Sequence, residues 1–293
     1  MAKGEQDIEP RSRGLGWMDS SIVVEEHTKP AIAGGASEGH WILDLCAQLP
    51  IPREGPWLSL GCGAGAQEML VMERGLADRI DAFDRAPEAI EAANRIRDER
   101  GFQGLMFSVE DVAVMHLPES EYDVVITSFE LHRAEDLEAT LRKISAALKP
   151  GGWLLANEYI GPKRFQFSDR QLRIVEDLLS ITPQHLRHDY VSRQRKDMFV
   201  PRPEAFWVEQ APLEAVSSEI IVPTIERLFT DVDVRPYGGT ILNPYLEHIV
   251  GNFDPASEAD MTILRLVMYV ERLMLREGYL TSDFGVLAAR KPQ

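Results

Sequence analysis

The segment Gly61-Cys62-Gly63-Ala64-Gly65 constrains the fold of this chain more than any other part of its sequence. It lies between a short apolar run at residues 57–60 and a helical pattern at residues 66–75. Glycines at alternate positions let the backbone turn tightly and approach a ligand closely. The helix behind them begins with free N–H groups at the positive end of its dipole. The pattern therefore predicts a strand, a ligand-binding glycine loop and a helix.

Strands and helices alternate through residue 159. A first helix is predicted at residues 38–48. Further strands are predicted at 80–83, 104–108, 122–127 and 153–157, with helices at 87–97 and 135–149. Strands separated by helices indicate a parallel, doubly wound sheet. Two later strands, 230–237 and 282–290, complete the expected fold, an α/β architecture with a mostly parallel seven-stranded sheet.

Two long segments interrupt this alternation, and we expect both to be helical insertions. The predicted organisation is an N-terminal arm or cap (1–38), a ligand-binding core (39–159), a lid insertion (160–211), continued core (212–239, with a crossover helix at 212–229), a second insertion (240–280) and a final strand (281–293). Because ligands bind beyond the carboxyl ends of such strands, the insertions are expected to cover that edge. The apolar helix at 260–277 is either a core helix or the face of a homodimer.

Composition excludes several classes of function. The formal net charge is −16, a field that repels nucleic acid. No apolar run approaches the roughly 18 residues that span a bilayer, so no membrane segment is expected. Cys46 and Cys62 are too few for a disulfide framework and lack the spacing of metal ligands, which favours a reducing, cytoplasmic setting.

Two acidic residues that follow the glycine loop in the sequence also indicate a ligand-binding site. Asp84 lies nineteen residues after Gly65, at the end of the second strand. An acid at that place in an open α/β sheet accepts hydrogen bonds from ribose hydroxyls. Asp111 follows the third strand, where an adenine amino group could be recognised. Together these residues indicate an adenosine-containing ligand.

Four segments in this order resemble the class I S-adenosylmethionine-dependent methyltransferases, which have a Rossmann-like fold. They read LSLGCGAG, DAFDRAPEAIEAAN, VEDVAVMHLPESEYDVVITSFELH and LKPGGWLLANE. The resemblance implies that S-adenosyl-L-methionine is the cofactor. Its methionine portion would contact Gly61, Cys62, Gly63 and Gly65, its ribose Asp84, its adenine Asp111 and Val112, and its sulfonium Ser128. One departure is Ser59, which stands where the family often carries an acid near the cofactor's amino group.

Two other activities fit parts of the pattern. Residues 61–66 also match the dinucleotide fingerprint GxGxxA. The Lys149-Pro-Gly-Gly152 turn and the two closing strands favour the methyltransferase sheet over that alternative. Aminopropyl transfer on the same fold usually needs acids for a polyamine, and the basic first insertion disfavours it.

The methyl acceptor is expected at the loops that follow the fourth, fifth and sixth strands. His132 is a candidate base, because imidazole titrates near neutrality, with Glu158 and Tyr159 as further catalytic candidates. Residues 161–203 carry a net charge of +4, against −20 for the rest of the chain. This segment is either a site for an anionic acceptor or a solvated face. The residues expected to bind substrate are Trp41, Arg164, Arg193, Arg195, Lys196 and Tyr237.

The sequence therefore predicts a methyltransferase that acts on a small molecule, with O-methylation favoured and an anionic acceptor as one open alternative. The alternative is a protein on the same fold that binds the cofactor or a partner without catalysis, as Ser59 suggests. No metal site is expected, because His185 and His188 have no third ligand in the pattern.

Overall fold

Seven strands pair into one mixed sheet in the computed structural model, which describes residues 16–112 and 114–293. The strands are β1 (Pro56–Leu60), β2 (Arg79–Asp84), β3 (Leu105–Val109), β4 (Tyr122–Ser128), β5 (Leu148–Tyr159), β6 (Thr230–Gly238) and β7 (Phe284–Arg290). Their order is β3-β2-β1-β4-β5-β7-β6. Strands β1 to β5 pair in parallel and β7 runs antiparallel to β5, which confirms the predicted fold class.

The central strands are continuous apolar runs because helices cover both faces of the sheet. Leu58, Val125, Leu154 and Leu287 are all at most 1% exposed. The chain order of the strands reverses beside β1, whose neighbours are β2 and β4. Open α/β sheets bind ligands at such a reversal, beyond the carboxyl ends of the strands. The glycine loop follows β1 and therefore lies at that point.

Helices follow most of the strands. They are α1 (Ser21–Val23), α2 (Lys29–Ala33), α3 (Trp41–Gln48), α4 (Ala66–Glu73), α5 (Pro87–Arg100), α6 (Leu137–Ala147), α7 (Asp169–Ile181), α8 (Glu204–Gln210), α9 (Ile221–Leu228), α10 (Leu242–Leu246) and α11 (Glu258–Arg276). A π-helical stretch, Val24–Thr28, joins α1 to α2. No described helix is long and apolar enough to cross a membrane.

The crossover helix predicted at 212–229 is wrong in its first half. Helix α9 begins only at Ile221, after a 3₁₀ turn at Ser218–Ile220. The backbone before it is bonded to another part of the chain. The Ser217 amide donates to the His132 carbonyl at 3.1 Å, and the Ser217 hydroxyl donates to the Ala134 carbonyl at 2.6 Å. These distant partners replace the local hydrogen bonds that a longer helix would need.

The turn at Lys149–Gly152 occurs as predicted, but inside β5. Leu148 pairs with Tyr122 and Trp153 pairs with Val124, so residues 149–152 bulge between neighbouring pairs. Gly151 has a φ of 74°, and a Cβ on Gly152 would lie 2.9 Å from the Asp123 carbonyl oxygen. The bulge thus requires glycine both for its dihedral angle and for close backbone approach.

The described chain divides into two compact units. The larger comprises residues 29–166, 202–237 and 282–293, and the smaller comprises the described residues up to Thr28 with 167–201 and 238–281. Residues 1–15 of the predicted arm lie outside the described residues. Helix α11 buries one face, including Met261, Leu264 and Val267. The lid role of the two insertions and a homodimer both stay predictions.

Candidate active site

The glycine loop is shaped by its neighbours β2 and β3. Gly61, Gly63 and Gly65 have φ values of 74°, 53° and 78°, the left-handed region that favours glycine. The amides of Gly61 and Cys62 both donate to the Phe83 carbonyl, at 2.8 and 3.0 Å. A Cβ on Gly65 would lie 2.3 Å from the Phe107 ring, whereas one on Gly63 would meet nothing within 4 Å. Open space therefore adjoins the loop at Gly63, as a bound cofactor requires.

Asp84 braces this loop. Its Oδ2 accepts from the Gly63 amide at 2.8 Å, and its Oδ1 accepts from the Ala86 amide at 2.9 Å. A carboxylate has about four lone-pair positions, so two remain for further donors. The side chain is half-buried, which leaves it accessible to a ligand. The arrangement is compatible with hydroxyl binding, and the ribose contact itself stays a prediction.

Ser128 and Trp41 are joined through a residue that the sequence analysis missed. The Trp41 indole N–H donates to Gln67 Oε1 at 3.0 Å, and Gln67 Nε2 donates to Ser128 Oγ at 3.1 Å. Gln67 lies in the first turn of α4, directly behind the glycine loop. Trp41 is therefore bonded to the helix that follows the glycine loop, and its predicted contact with the methyl acceptor stays a prediction. No spacing rule marks Gln67, since its two partners are far away in sequence.

The two residues predicted at the adenine differ in exposure. Asp111 is half-buried after β3, whereas Val112 is 6% exposed and packs in the hydrophobic cluster that contains Leu58 and Leu117. The Val112 carbonyl accepts from Lys143 Nζ at 2.9 Å. Asp111 thus remains accessible to a ligand, while Val112 anchors the segment to the core.

A buried carboxyl lies against Ser59. The Ser59 hydroxyl donates to Glu68 Oε1 at 2.6 Å, and Glu68 is 1% exposed. Burial raises the pKa of Glu68 to about 7, although the hydrogen bond from Ser59 opposes the shift. The sequence analysis missed Glu68, because an acid in the first turn of a helix is ordinarily favoured by the helix dipole alone.

Cys62 is a small buried residue of the loop. Burial raises the pKa of its thiol far above the usual range, and the charges of Glu68 and Asp84 add to the effect. The thiol therefore stays protonated and is a poor nucleophile.

Glu158 organises the segment that follows β4. Its Oε1 accepts from the amides of Glu130 and Leu131, at 2.8 and 2.7 Å. Its Oε2 accepts from His132 Nδ1 at 2.8 Å and from the His132 amide at 3.4 Å. The side chain is fully buried. Glu158 therefore satisfies backbone groups that would otherwise be unpaired, and its lone pairs are occupied by this chain.

His132 lies between two carboxyl groups. Its Nε2 is 3.2 Å from Glu214 Oε1, while Glu214 Oε2 accepts from Arg133 Nε at 2.9 Å. Burial lowers the pKa of His132, but hydrogen bonds and charges from Glu158 and Glu214 outweigh burial and raise it to about 9. An imidazole that is protonated at neutral pH has no lone pair with which to accept a proton. This geometry disfavours His132 as the base that its position in the sequence indicates.

The two predicted tyrosines have hydrogen-bond partners within the larger unit. The Tyr159 hydroxyl donates to the Pro162 carbonyl at 3.0 Å, and the Tyr237 hydroxyl donates to Asn157 Oδ1 at 2.7 Å. Burial raises the pKa of both phenols well above the usual range. Both are at most 2% exposed, so they pack in the core rather than present a free hydroxyl.

Half-buried aromatic rings continue outward from Tyr159. Its ring centroid is 4.6 Å from that of Phe165, which is 4.9 Å from that of Trp207. The buried indole N–H of Trp207 has no hydrogen-bond partner. Phe129 and Phe165, which follow β4 and β5, have φ values of 55° and 53°. Bulky residues rarely adopt this conformation, and such strain clusters at ligand sites.

The cations predicted to bind an anionic methyl acceptor have separate partners. Arg195 forms an ion pair with Asp197 at 2.8 Å, and Lys196 Nζ donates to the Pro244 and Glu247 carbonyls, each at 2.7 Å. Arg193 is exposed in a turn, with a φ of 60°. Arg164 is buried and donates through Nη1 to the Ala211 carbonyl at 3.3 Å. Arg164, Arg195 and Lys196 therefore each have a partner within their own unit, and binding of an anionic acceptor stays a prediction.

Within residues 16–112 and 114–293, no three His, Cys, Asp or Glu side chains cluster in a way that could bind a metal ion. His185, one of the two histidines weighed as ligands, is instead 3.2 Å from Asp260 Oδ1.

Comparisons with known proteins match this fold and loop. The model of a family described as "Methyltransferase domain" matches residues 53–194. A demethylmenaquinone methyltransferase of Tropheryma whipplei is 26% identical over 184 residues, covering 61% of this chain and 75% of the relative. A hybrid PKS-NRPS synthetase of Emericella nidulans is 32% identical over 113 residues, which are 36% of this chain and 3% of the synthetase.

A solved structure supports the fold in particular. Phosphoethanolamine N-methyltransferase 2 of Haemonchus contortus, in complex with S-adenosyl-L-methionine, aligns with a TM-score of 0.55 at 16% identity. The alignment covers 94% of this chain and 59% of that one. At this level of identity the likeness concerns the fold alone.

Proposed function

Because residues 53–194 match a methyltransferase domain, we propose that the chain is a class I S-adenosylmethionine-dependent enzyme that methylates an oxygen of a small molecule that carries an aromatic or enolic ring. S-adenosylmethionine, the cofactor of this family, supplies an electrophilic methyl group on its sulfonium. The residues of the site fit it. Gly63 leaves open space, Asp84 keeps lone pairs for hydroxyls, and Ser128 and Asp111 are half-buried at neighbouring strand ends.

The observation that carries the oxygen assignment is that the three candidate bases are occupied. His132 is protonated near neutral pH, Glu158 accepts from three amides and an imidazole, and the Tyr159 hydroxyl donates to Pro162. A hydroxyl acceptor that gets no help from a base must lose its proton readily by itself. A phenol-type hydroxyl ionises near pH 10, whereas water ionises near pH 15.7. Phenols and enols therefore suit this site better than aliphatic alcohols.

The aromatic ring of the proposed acceptor is supported by Phe129, Phe165 and Trp207. These side chains are half-buried, and the first two have the strained backbone expected at a ligand site. Rings pack favourably edge to face or offset, so these half-buried side chains suit an aromatic acceptor. The Tropheryma whipplei relative is named for demethylmenaquinone, a ring compound, which supports a ring in the acceptor but not the choice of the methylated atom.

Catalysis in this proposal is mainly alignment. Methyl transfer is an in-line displacement, and holding the two reacting atoms in line can supply much of the acceleration. The loop after β4 is held for this by Glu158, whose hydrogen bonds to the amides of Glu130 and Leu131 order the segment next to Ser128. A strongly anionic acceptor has less support, because Arg195 and Lys196 already have partners. A small-molecule acceptor rather than nucleic acid, a cytoplasmic setting and a homodimer remain part of the proposal.

The non-catalytic alternative rested on Ser59 alone. Glu68 supplies a buried carboxyl at 2.6 Å from the Ser59 hydroxyl, so this part of the site does not lack an acid.

A test pairs each candidate acceptor with a blocked form. The protein is incubated with S-adenosylmethionine carrying a ¹³C-labelled methyl group and with a panel of phenols, enols, aliphatic alcohols, amines and phosphate esters. We expect product from phenols or enols and none from their O-methyl ethers, with the label on oxygen by NMR. A label on carbon or nitrogen, or turnover of phosphate esters alone, would overturn the oxygen and ring assignments. No labelled product from any acceptor would favour the non-catalytic alternative.

A further inference from the structure

Glu130 is a half-buried acid beside the glycine loop that the sequence analysis did not identify. It follows β4, and its side chain is 20% exposed. Its Oε2 lies 3.3 Å from the position that a Cβ on Gly61 would take. Glycine at position 61 therefore lets the loop and this carboxyl group approach each other closely. Glu130 thus lies where the loops that follow β1 and β4 meet.

The backbone of Glu130 is held on both sides. Its amide donates to Glu158 Oε1 at 2.8 Å, and its carbonyl accepts from the Arg133 amide at 3.1 Å. The preceding amide, of Phe129, donates to the Asn157 carbonyl at 2.9 Å. Because these hydrogen bonds already fix the main chain, a ligand that contacts the Glu130 side chain orders little of the protein on binding.

The carboxyl group of Glu130 is not closed into a tight ion pair. Arg85 Nη2, which follows β2, lies 3.9 Å from Glu130 Oε1, a distance longer than a hydrogen bond. Burial raises the pKa of Glu130, and the charges of Arg85 and Arg133 oppose this shift. The carboxylates of Glu158 and Asp84 add to it. A further cation that donates hydrogen bonds would therefore stabilise the ionised form of Glu130.

The other carboxyl group close to the loop is that of Glu68, which accepts from Ser59. Glu68 is 1% exposed and its free Oε2 is buried, so a ligand on the accessible side of the loop does not reach it. Glu130 keeps accessible surface and contacts the loop directly. Of these two carboxyl groups, Glu130 is the one placed to touch a ligand.

The methionine portion of S-adenosylmethionine carries an ammonium group. Its N–H groups can donate charge-assisted hydrogen bonds to a carboxylate, whereas the sulfonium has no N–H to donate. The resemblance to the family implies that this portion contacts Gly61, and Gly61 is the glycine that Glu130 approaches. Ser59, which stands where the family often carries an acid, has no charge to offer.

We propose that Glu130 binds the ammonium group of the cofactor and so takes the role that an acid at position 59 would have. The inference deepens the proposed function, because it rests on the same cofactor, but it does not depend on the methyl acceptor. S-adenosylhomocysteine keeps the same ammonium group. Glu130 therefore holds the amino-acid end of the cofactor and of the product alike.

The experiment compares two ligands that differ in one group. They are S-adenosylhomocysteine and its analogue in which hydrogen replaces the α-amino group, and calorimetry on the full chain gives both Kd values. In the wild type, loss of the amino group should raise the Kd about 10- to 100-fold, as expected for a charge-assisted hydrogen bond. In Glu130→Gln this ratio should fall at least about fivefold, because only S-adenosylhomocysteine binds more weakly. The analogue should bind the variant at least as tightly as the wild type, which also shows that the variant is folded.

Three further variants sharpen the result. Glu135→Gln makes the same change at an exposed carboxyl of the same loop and should keep the wild-type ratio. Glu68→Gln tests the buried carboxyl and should also keep it. Glu130→Ala removes the carboxylate in a second way and should reproduce the lower ratio.

Several outcomes would overturn the proposal. One is a wild-type ratio below about threefold, and another is a wild-type ratio retained in both Glu130 variants. A fall in Glu68→Gln alone would move the role to Glu68. If Glu130→Gln instead changed the Kd of S-adenosylmethionine relative to S-adenosylhomocysteine, and left the amino-group ratio intact, Glu130 would act on the sulfonium.

The measurement separates this proposal from the choice of acceptor. No acceptor is present, so failure of every compound in the acceptor panel leaves the two Kd values and their ratio valid. Absence of S-adenosylhomocysteine binding by the wild type would contradict cofactor binding itself, and would overturn the role of Glu130 with it.

Discussion

The carboxyl ends of β1 and β2, called here the β1–β2 edge, differ from those of β4 and β5, called the β4–β5 edge, in how their charged groups are hydrogen-bonded. At the β1–β2 edge, Asp84 is half-buried with lone pairs to spare, and Glu68 keeps one oxygen unpaired. At the β4–β5 edge, Glu158 and His132 are buried and bonded to each other and to the backbone. The first arrangement leaves binding capacity for a ligand. In the second arrangement the hydrogen-bonding capacity is used within the chain, so these groups stabilise the segment and are not available for catalysis.

The difference shows why residue type is a weak guide to catalytic role. A histidine and a glutamate after adjacent strands fit an acid–base pair, but the imidazole here is charged and the carboxyl is saturated. Ser59 and Glu68, whose residue types and positions do not suggest a catalytic role, form the pair in which one carboxyl oxygen has no hydrogen-bond partner.

Replacing Glu158 by alanine should do the most damage. It leaves three backbone amides and a buried imidazolium without their acceptor, and breaking a buried charge pair in this way costs about 3–5 kcal/mol. Chemical denaturation should show a loss of that size in the free energy of unfolding. Glu158→Gln keeps one carbonyl acceptor and serves as the control, with a smaller loss. A loss below about 1 kcal/mol for alanine would mean that the network does not hold this edge.

The next effect is the pH dependence of stability. The pKa of His132 rises from 6.5 to about 9 on folding, so its contribution is fully present below pH 6.5 and is lost as the pH rises through about 9. Relative to His132→Gln, the wild type should lose about 2–3 kcal/mol of unfolding free energy between pH 6.5 and pH 9.5. Urea titrations of both proteins across this range provide the measurement. Parallel curves for the two proteins would contradict a charged His132.

On the open edge, Asp84→Ala should weaken binding of S-adenosylmethionine by about 1.5–3 kcal/mol, as expected for lost charge-assisted hydrogen bonds. Part of this loss arises because Asp84 also accepts a hydrogen bond from the Gly63 amide. Calorimetry on the variant measures this loss of affinity. Asp84→Asn retains one acceptor oxygen, so its affinity should lie between those of the wild type and Asp84→Ala. Unchanged affinity in Asp84→Ala would contradict the ribose assignment.

The catalytic effect of His132 should be small. As a general base it would contribute about 10²–10⁴-fold to kcat, and the rate would have an acid limb that the variant lacks. If His132 is instead a protonated positioning residue, His132→Gln should lower kcat by less than about tenfold and leave any acid limb of the pH profile in place. The measurement is kcat against pH for both proteins with the acceptor found in the panel above. A hundredfold drop with loss of the acid limb would restore the base assignment.

The smallest effect is expected at Arg195. Its guanidinium is exposed and paired with Asp197, so Arg195→Gln should leave the KM for the methyl acceptor and the Kd for the cofactor unchanged. Combining it with Arg193→Gln and Lys196→Gln tests the whole basic cluster. A selective rise in acceptor KM in the triple variant would revive the anionic acceptor.

Local sequence patterns predict the order of strands and helices, the glycine loop and the position of Asp84 without any knowledge of the folded chain. These follow from local rules: apolar periodicity marks the strands, and glycine alone tolerates the φ values of 74°, 53° and 78° at alternate positions. The resemblance carried by four ordered segments then led to the cofactor. Boundaries were predicted less well where distant partners intervene, as at Ser217, whose bonds to His132 and Ala134 end the helical pattern.

Only the tertiary structure decided the chemical state of the site. One of the two partners of His132 is Glu214, 82 residues away, and the pKa of the imidazole depends on burial and on its contacts with Glu158 and Glu214. Lys196 was predicted as a ligand for an anion, but folding places its ammonium on two carbonyls more than forty residues away. Local spacing carries no information about such contacts, because charge state and hydrogen-bond partners depend on which distant side chains share a desolvated space.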